Sequence, residues 1–505
     1  MQIEDTSILE LASKMTSGEI TALTLTGQYL DRIEKIDRSG PSINAVIEIN
    51  PDALSIAEKL DQERAAGKIR GPLHGIPILL KDNLDTHDRM QTTAGSLALE
   101  GSIASRDAFL VKRLRSSGAI ILGKTNLSEW ANFRGKHSVS GWSSRGGLTR
   151  NPYVLDRTAC GSSSGSAAAV AASLCAGAFG TETDGSIICP SQTCGVIGLK
   201  PTLGLISRSG IIPIAHSQDT AGPIGRTVED VAVLLGCVMG TDLEDRSTRL
   251  SQTRGLNDYT KCLVKDGLKG ARIGIARNML GTDKRIIKIL ESSIDLMKQM
   301  GAVIIDPADL PNWDDFGKSE IEVLCFEFKA DLNRYLGTLG PRANVHSLEE
   351  VIKFNDDNKS RVMPYFGQER MLAAQEKDSL TSRKYREALA RNHRLMRQEG
   401  IDALMADKRL DAIVVVSGGP AWTIDLANGD PSSWDMESTS PAAVAGYPHI
   451  TVPAAEIFGL PVGISFFSKA WREPELLKLA YSFEQALKAR KPPRFLQTAD
   501  LGLLK

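Results

Sequence analysis

Apolar positions recur at helical spacing through the first 65 or so residues. Ile8, Leu11 and Met15 share one face, as do Leu23, Tyr29, Leu30 and Ile33. Pro51-Asp52 opens a further helix through Ala57 and Leu60. The texture then changes. Gly71-Pro72-Leu73-His74-Gly75 leads into Ile76-Pro77-Ile78-Leu79-Leu80, an unbroken apolar run that ends in Lys81-Asp82-Asn83. A short apolar run bounded by Gly and Pro predicts a buried strand. Its abrupt end predicts that Lys81 emerges at a sheet edge.

Residues 107–118 carry Phe109, Leu110 and Leu114 at helical spacing and lead into an apolar run, Ala119 to Gly123. That alternation of helix and strand predicts α/β layers. Ala167 to Gly180 is about 14 residues of mostly Ala and predicts a buried helix. A loop-rich section runs to Arg226, and a helix follows from Thr227 to Leu235. Further strands are expected at Ala271–Ala276, Ala302–Ile305 and Leu410–Val416, and two more within Ile450–Phe467. Lys284 to Met300 is amphipathic, residues 318–408 are charged and mostly helical, and a last helix starts at Pro474. Strand signals at both ends predict one large sheet with the middle of the chain inserted.

The chain has 505 residues and a formal net charge of -1, with 42% hydrophobic and 24% charged residues. Those values describe an ordinary folded protein and argue against nucleic acid as a partner, which needs a basic surface. No apolar stretch reaches the length of a membrane span, and no secretory leader is visible after Met1, so a cytoplasmic protein is expected. The seven cysteines are too few for a disulfide scaffold and are read as small buried hydrophobes. Cys189 and Cys194 have no nearby His to complete a zinc site.

Charge is missing from one place. The 42 residues between Arg157 and Lys200 contain only Glu182 and Asp184, where about ten charges would be expected at the chain average. This segment holds two candidate pieces of chemistry. Cys160-Gly161-Ser162-Ser163-Ser164-Gly165-Ser166 opens an Ala-rich helix and could aim backbone N–H groups into a cavity. It lacks the lysine of a nucleotide-binding loop. Thr183-Asp184-Gly185-Ser186 sets a serine after a glycine turn, which suits an acyl-transfer nucleophile with an oxyanion hole beside it. None of the seven histidines sits in a triad-like motif, and Lys81 is the remaining base candidate. Burial at the end of an apolar strand would lower its pKa, as a general base requires.

Together these segments resemble the amidase signature family. The resemblance rests on Gly75 to Asn83, on Gly161 to Ser166 and on Thr183 to Ser186. Gly198-Leu199-Lys200-Pro201-Thr202 and Gln218-Asp219-Thr220-Ala221-Gly222-Pro223 match further family blocks, and the likeness extends to Gly459-Leu460-Pro461-Val462-Gly463. It is weakest over about 256–410. Asp184 stands where the family commonly has a first Gly, and Ile188 stands where it commonly has Arg. With Trp130 to Gly135 and Gly141 to Gly147, this variant looks most like the peptide amidase branch, whose members remove ammonia from C-terminal carboxamides.

The resemblance implies an α/β fold with a large mixed central sheet covered by helices on both faces. One domain would span 1–505, with N-terminal helices at 1–65 and a catalytic core at 70–255. A divergent helical substrate-side section would cover 256–410, and 411–505 would complete the core. It implies a Ser–cis-Ser–Lys triad: Ser186 as nucleophile, Ser162 after a cis peptide from Gly161 as bridge, and Lys81 as neutral base. Backbone N–H groups of Thr183, Asp184, Gly185 and Ser186 would form the oxyanion hole. Neither metal nor organic cofactor is required, and the partner expected is a small or peptide amide rather than a protein. Three other readings stay open: the amidase component of a glutamine-dependent amidotransferase, an aryl-amide, urethane or ester hydrolase, and a non-catalytic binding protein. The acyl pocket and the roles of Glu182 and Ile188 are unassigned.

Overall fold

The computed structural model describes residues 3–341, 343–431 and 438–501. Eleven strands form one sheet: β1 Val46–Ile49, β2 Pro77–Lys81, β3 Ile120–Thr125, β4 Gly177–Glu182, β5 Ile197–Lys200, β6 Thr220–Gly225, β7 Arg272–Ile275, β8 Val303–Ile305, β9 Ala412–Val416, β10 His449–Ile457 and β11 Leu460–Phe467. Their order across the sheet is β1-β3-β2-β4-β6-β5-β10-β11-β9-β7-β8. The pairs β2–β3, β2–β4, β7–β9 and β7–β8 are parallel and the rest are antiparallel, so the sheet is mixed. Every residue of β2, β3, β4, β9 and β11 is buried, as expected of strands covered on both faces.

The helical spacing of the N-terminal segment is realised in Ile8–Thr16, Ala22–Arg32 and Ala53–Ala65, which bury Leu11, Tyr29 and Leu60. The 284–300 stripe becomes the helix Lys284–Gln299, with Ile286, Leu290 and Met297 inside. Among the described residues no helix is long and apolar enough to cross a membrane.

Three local expectations change. The Ala-rich helix covers only Ser164–Ala171, and Gly177–Glu182 is strand instead. Alanine and glycine carry no periodicity, so pairing with β2 and β6 decides the state there. Thr220–Gly225, placed in a loop-rich section, is a central strand. Lys81 does not emerge at a sheet edge. It ends β2, which lies between β3 and β4, and it pairs with Thr125 at the closed end of two interior strands.

Candidate active site

Lys81 is fully buried, and its Nζ lies 2.7 Å from Ser162 Oγ, 2.9 Å from Thr181 Oγ1, 3.1 Å from Ser163 Oγ and 3.2 Å from the Thr181 carbonyl. None of these partners is a carboxylate. Burial therefore pushes the ammonium down to about 7, against the opposing pull of Asp219 and Glu182. That shift favours the neutral amine over the ammonium.

Ser162 is fully buried and follows a cis peptide bond from Gly161. Its carbonyl accepts the Ser128 N–H at 3.1 Å. A Cβ on Gly161 would press on the Ser128 hydroxyl, so a larger residue here would have to displace that side chain. The next residue joins the two serine loops: Ser163 N–H donates to the Ser186 carbonyl at 3.2 Å.

Ser186 is 8% exposed, and its Oγ makes no hydrogen bond among the described residues. It follows Gly185, whose φ of +75° is one that other residues rarely adopt. The N–H groups of Asp184, Gly185 and Ser186 likewise donate to nothing within the described protein. Glu182 gains a function here. Its Oε2 accepts the N–H of Ile187 at 2.7 Å and of Ile188 at 3.0 Å, capping the helix Ile188–Thr193 directly after Ser186. Ile188 itself is fully buried.

The structure thus brings Lys81 and Ser162 into direct contact and sets the Ser186 turn beside them. It also gathers residues to which the sequence alone assigns no role. Asp219 Oδ1 accepts the Thr183 hydroxyl at 2.5 Å, while Oδ2 takes the N–H groups of Ile214 and Ala215. Gln218 Nε2 donates to the Thr183 carbonyl at 3.1 Å. Both residues lie in the Gln218-to-Pro223 block, and that block was the available signal. Glu320, Thr439 and Ser440 also reach the turn, and no local pattern marks them.

The cysteine reading needs correction. Cys160 and Cys189 form a disulfide with Cα atoms 6.0 Å apart. It joins the residue before Gly161–Ser162 to the helix after Ser186. The fold brings together two residues 29 apart whose pairing has no spacing signature. Cys175, Cys194, Cys237 and Cys325 are free and buried, as expected, and Cys262 is free and half-buried.

A cavity of about 1010 Å³ reaches Asn83, Thr181 and Thr183 and is walled by Ile211, Ile212 and Tyr335. It touches the Lys81 network, since Asn83 Nδ2 donates to Thr181 Oγ1 at 3.0 Å, but Ser186 is not part of its wall. A smaller cavity of about 410 Å³, beside Arg272 and Arg409, lies by the β7–β8 edge of the sheet. The large cavity also borders His216 and Asp331. With Glu327 these form the one group among the described residues whose donors approach as metal ligands would. Asp331 lies 2.7 Å from Nδ1 and Glu327 3.5 Å from Nε2. The carboxylates therefore use different ring nitrogens, and the imidazole sits between them instead of converging with them on one ion.

Comparison with known proteins agrees with the geometry. The Amidase family model matches residues 24–477. The chain belongs to the amidase family. A probable amidase of Arabidopsis thaliana is 41% identical, covering 98% of this chain and 92% of the relative. The solved native peptide amidase of Stenotrophomonas maltophilia is 48% identical with a TM-score of 0.93, covering 97% of this chain and 99% of that one. A glutamyl-tRNA(Gln) amidotransferase component of Symbiobacterium thermophilum is 34% identical over 94% of this chain and 95% of its own. This amidase is an enzyme acting on amide C–N bonds, with the mixed α/β sheet of its relatives.

Proposed function

We propose that this amidase releases ammonia from C-terminal peptide carboxamides, or small amides like them, through a Ser186–Ser162–Lys81 relay. The observation that carries the reading is the 2.7 Å contact of Ser162 Oγ with a buried Lys81 whose ammonium is depressed to about 7. A neutral Lys81 takes the Ser162 proton as Ser162 takes that of Ser186. Ser186 Oγ then bonds to the carbonyl carbon. The free N–H groups around Asp184, Gly185 and Ser186 hold the oxyanion, an interaction worth roughly 10²–10³ in rate per donor. The proton returns through Ser162 to the nitrogen, the C–N bond breaks and ammonia leaves. Water, activated by the same relay, cleaves the acyl-enzyme. The hydrogen bond from Ser186 to Ser162 would form when substrate is bound. The 48% likeness to a peptide amidase supports the peptide carboxamide over other leaving groups.

The test is a substrate panel of peptide amides, fatty acid amides, aryl amides, carbamates and glutamine, scored by kcat/KM with ammonia detection. Peptide amides should lead. A preference for glutamine that appears only with a copurifying protein would replace this reading by an amidotransferase role.

A further inference from the structure

The turn that carries Ser186 is held by groups that the relay does not use. Asp184, partly buried, accepts the Thr439 hydroxyl at 2.8 Å and the Ser440 hydroxyl at 2.5 Å. The carboxyl of Glu320, on the helix Gly317–Leu336, hydrogen-bonds the same Asp184 group. Glu320 is 7% exposed, and its Oε1 accepts Gln218 Nε2 at 3.0 Å. That same amide nitrogen reaches the Thr183 carbonyl. Two carboxyl groups in hydrogen-bond contact cannot both ionise without strong repulsion, so one holds a proton. Asp184 already accepts two hydroxyls and Glu320 Oε1 accepts an N–H. The proton therefore belongs on Glu320 Oε2, directed at Asp184.

We propose that Asp184 and Glu320 are a proton-sharing pair of positioning residues that orients the Ser186 turn and sets the alkaline limit of the reaction. This rests on Ser186 being the nucleophile. The pair acts through geometry: the side chain of Asp184 anchors the backbone whose N–H groups face the reacting carbonyl. Thr439 completes the clamp, its Oγ1 lying 3.0 Å from where a Cβ on Gly185 would stand. The shared proton leaves one negative charge beside an oxyanion site. Losing it adds a second charge that opposes the oxyanion. Burial first, and then the Asp184 charge, push the Glu320 carboxyl well above the usual range, so the pair holds its shared proton to a higher pH than a lone carboxyl would. Lys200 and Glu182 face Asp184, and Arg370 faces Glu320.

The experiment measures kcat and KM for a peptide amide up to a pH of about 10 in the wild type, E320Q, D184A and D184N, with serine-reactive phosphonate labelling and melting curves for each. Gln at 320 can donate to Asp184 and accept from Gln218, so E320Q should fold and lose the alkaline fall in kcat. D184A should lower kcat about 100-fold with KM within about threefold, because oxyanion contacts strengthen only in the transition state. D184N, which keeps the acceptor for Thr439, should recover at least about tenfold of that loss. A wild type with no alkaline fall, or an alkaline fall unmoved in E320Q, overturns the proposal. Wild-type kcat in D184A also overturns it. If D184A does not fold, the E320Q profile decides. Failure of the wild type to label at Ser186 would instead remove the nucleophile assignment itself.

Discussion

Ser162 and Ser186 lie in a segment whose two charged side chains are held by hydrogen bonds: Glu182 by the N–H groups of Ile187 and Ile188, Asp184 by Thr439 and Ser440. The helices of 318–408 carry pairs such as Arg383–Glu387 and Lys353–Asp357 that stand in solvent. In the first region a charge is costly to bury and every one has a structural task. In the second, charges keep a surface wet and are nearly free to change. The two regions meet where Glu320 reaches Asp184, so the charged helices contribute to the site only through the face they bury.

The sharpest way to break this contrast is Ser186→Ala. We expect kcat/KM to fall by roughly 10⁴-fold or more while the melting curve stays that of a folded protein. Substantial residual ammonia release would remove Ser186 from the chemistry. Lys81→Ala should cost about 10³-fold. Lys81→Arg should not restore activity, since guanidinium keeps its proton. The pH profile follows from the same group. Lys81 must be neutral, and its pKa is lowered to about 7, so kcat/KM should drop about tenfold per unit as pH falls below that value. A profile flat to pH 4 would exclude a lysine base.

Next in size is the disulfide. Cys160 and Cys189 close a loop over a separation of 29 residues, which is worth about 3–4 kcal/mol in chain entropy. Reduction by a dithiol, verified by alkylation and mass, should lower the melting midpoint by several degrees and reduce kcat. An unchanged melting curve after verified reduction would show that the serine loops are held without it. Arg383→Ala is the smallest change: midpoint and rate should stay within error, and a clear loss of rate would deny that the charged helices act only through their buried face.

Lys81 and Ser186 were legible as candidates because each ends or interrupts a pattern, while Ser162 and the relay as a whole were implied by the resemblance to the amidase signature family. Lys81 closes an apolar run, and Ser186 follows a glycine in a segment stripped of charge. The contacts that support them were not legible. Thr183 meets Asp219 across 36 residues, Gln218 meets Glu320 across 102, and Asp184 meets Ser440 across 256. No periodicity spans such distances. The strand Thr220–Gly225 was hidden for a related reason. Gly and Pro within it read as a loop, and only burial between β4 and β5 makes it a strand.

The sequence by itself determined the layer class, the helices with strong apolar stripes and the three residues of the proposed relay. Each depends on local order: a period, a boundary or a motif. The tertiary structure decided that Lys81 closes an interior strand rather than an edge. It paired Cys160 with Cys189, turned Glu182 into a helix cap and brought Glu320 to Asp184. Those outcomes depend on which distant backbones share a sheet and which side chains lose water together, and such burial exists only once the chain has folded.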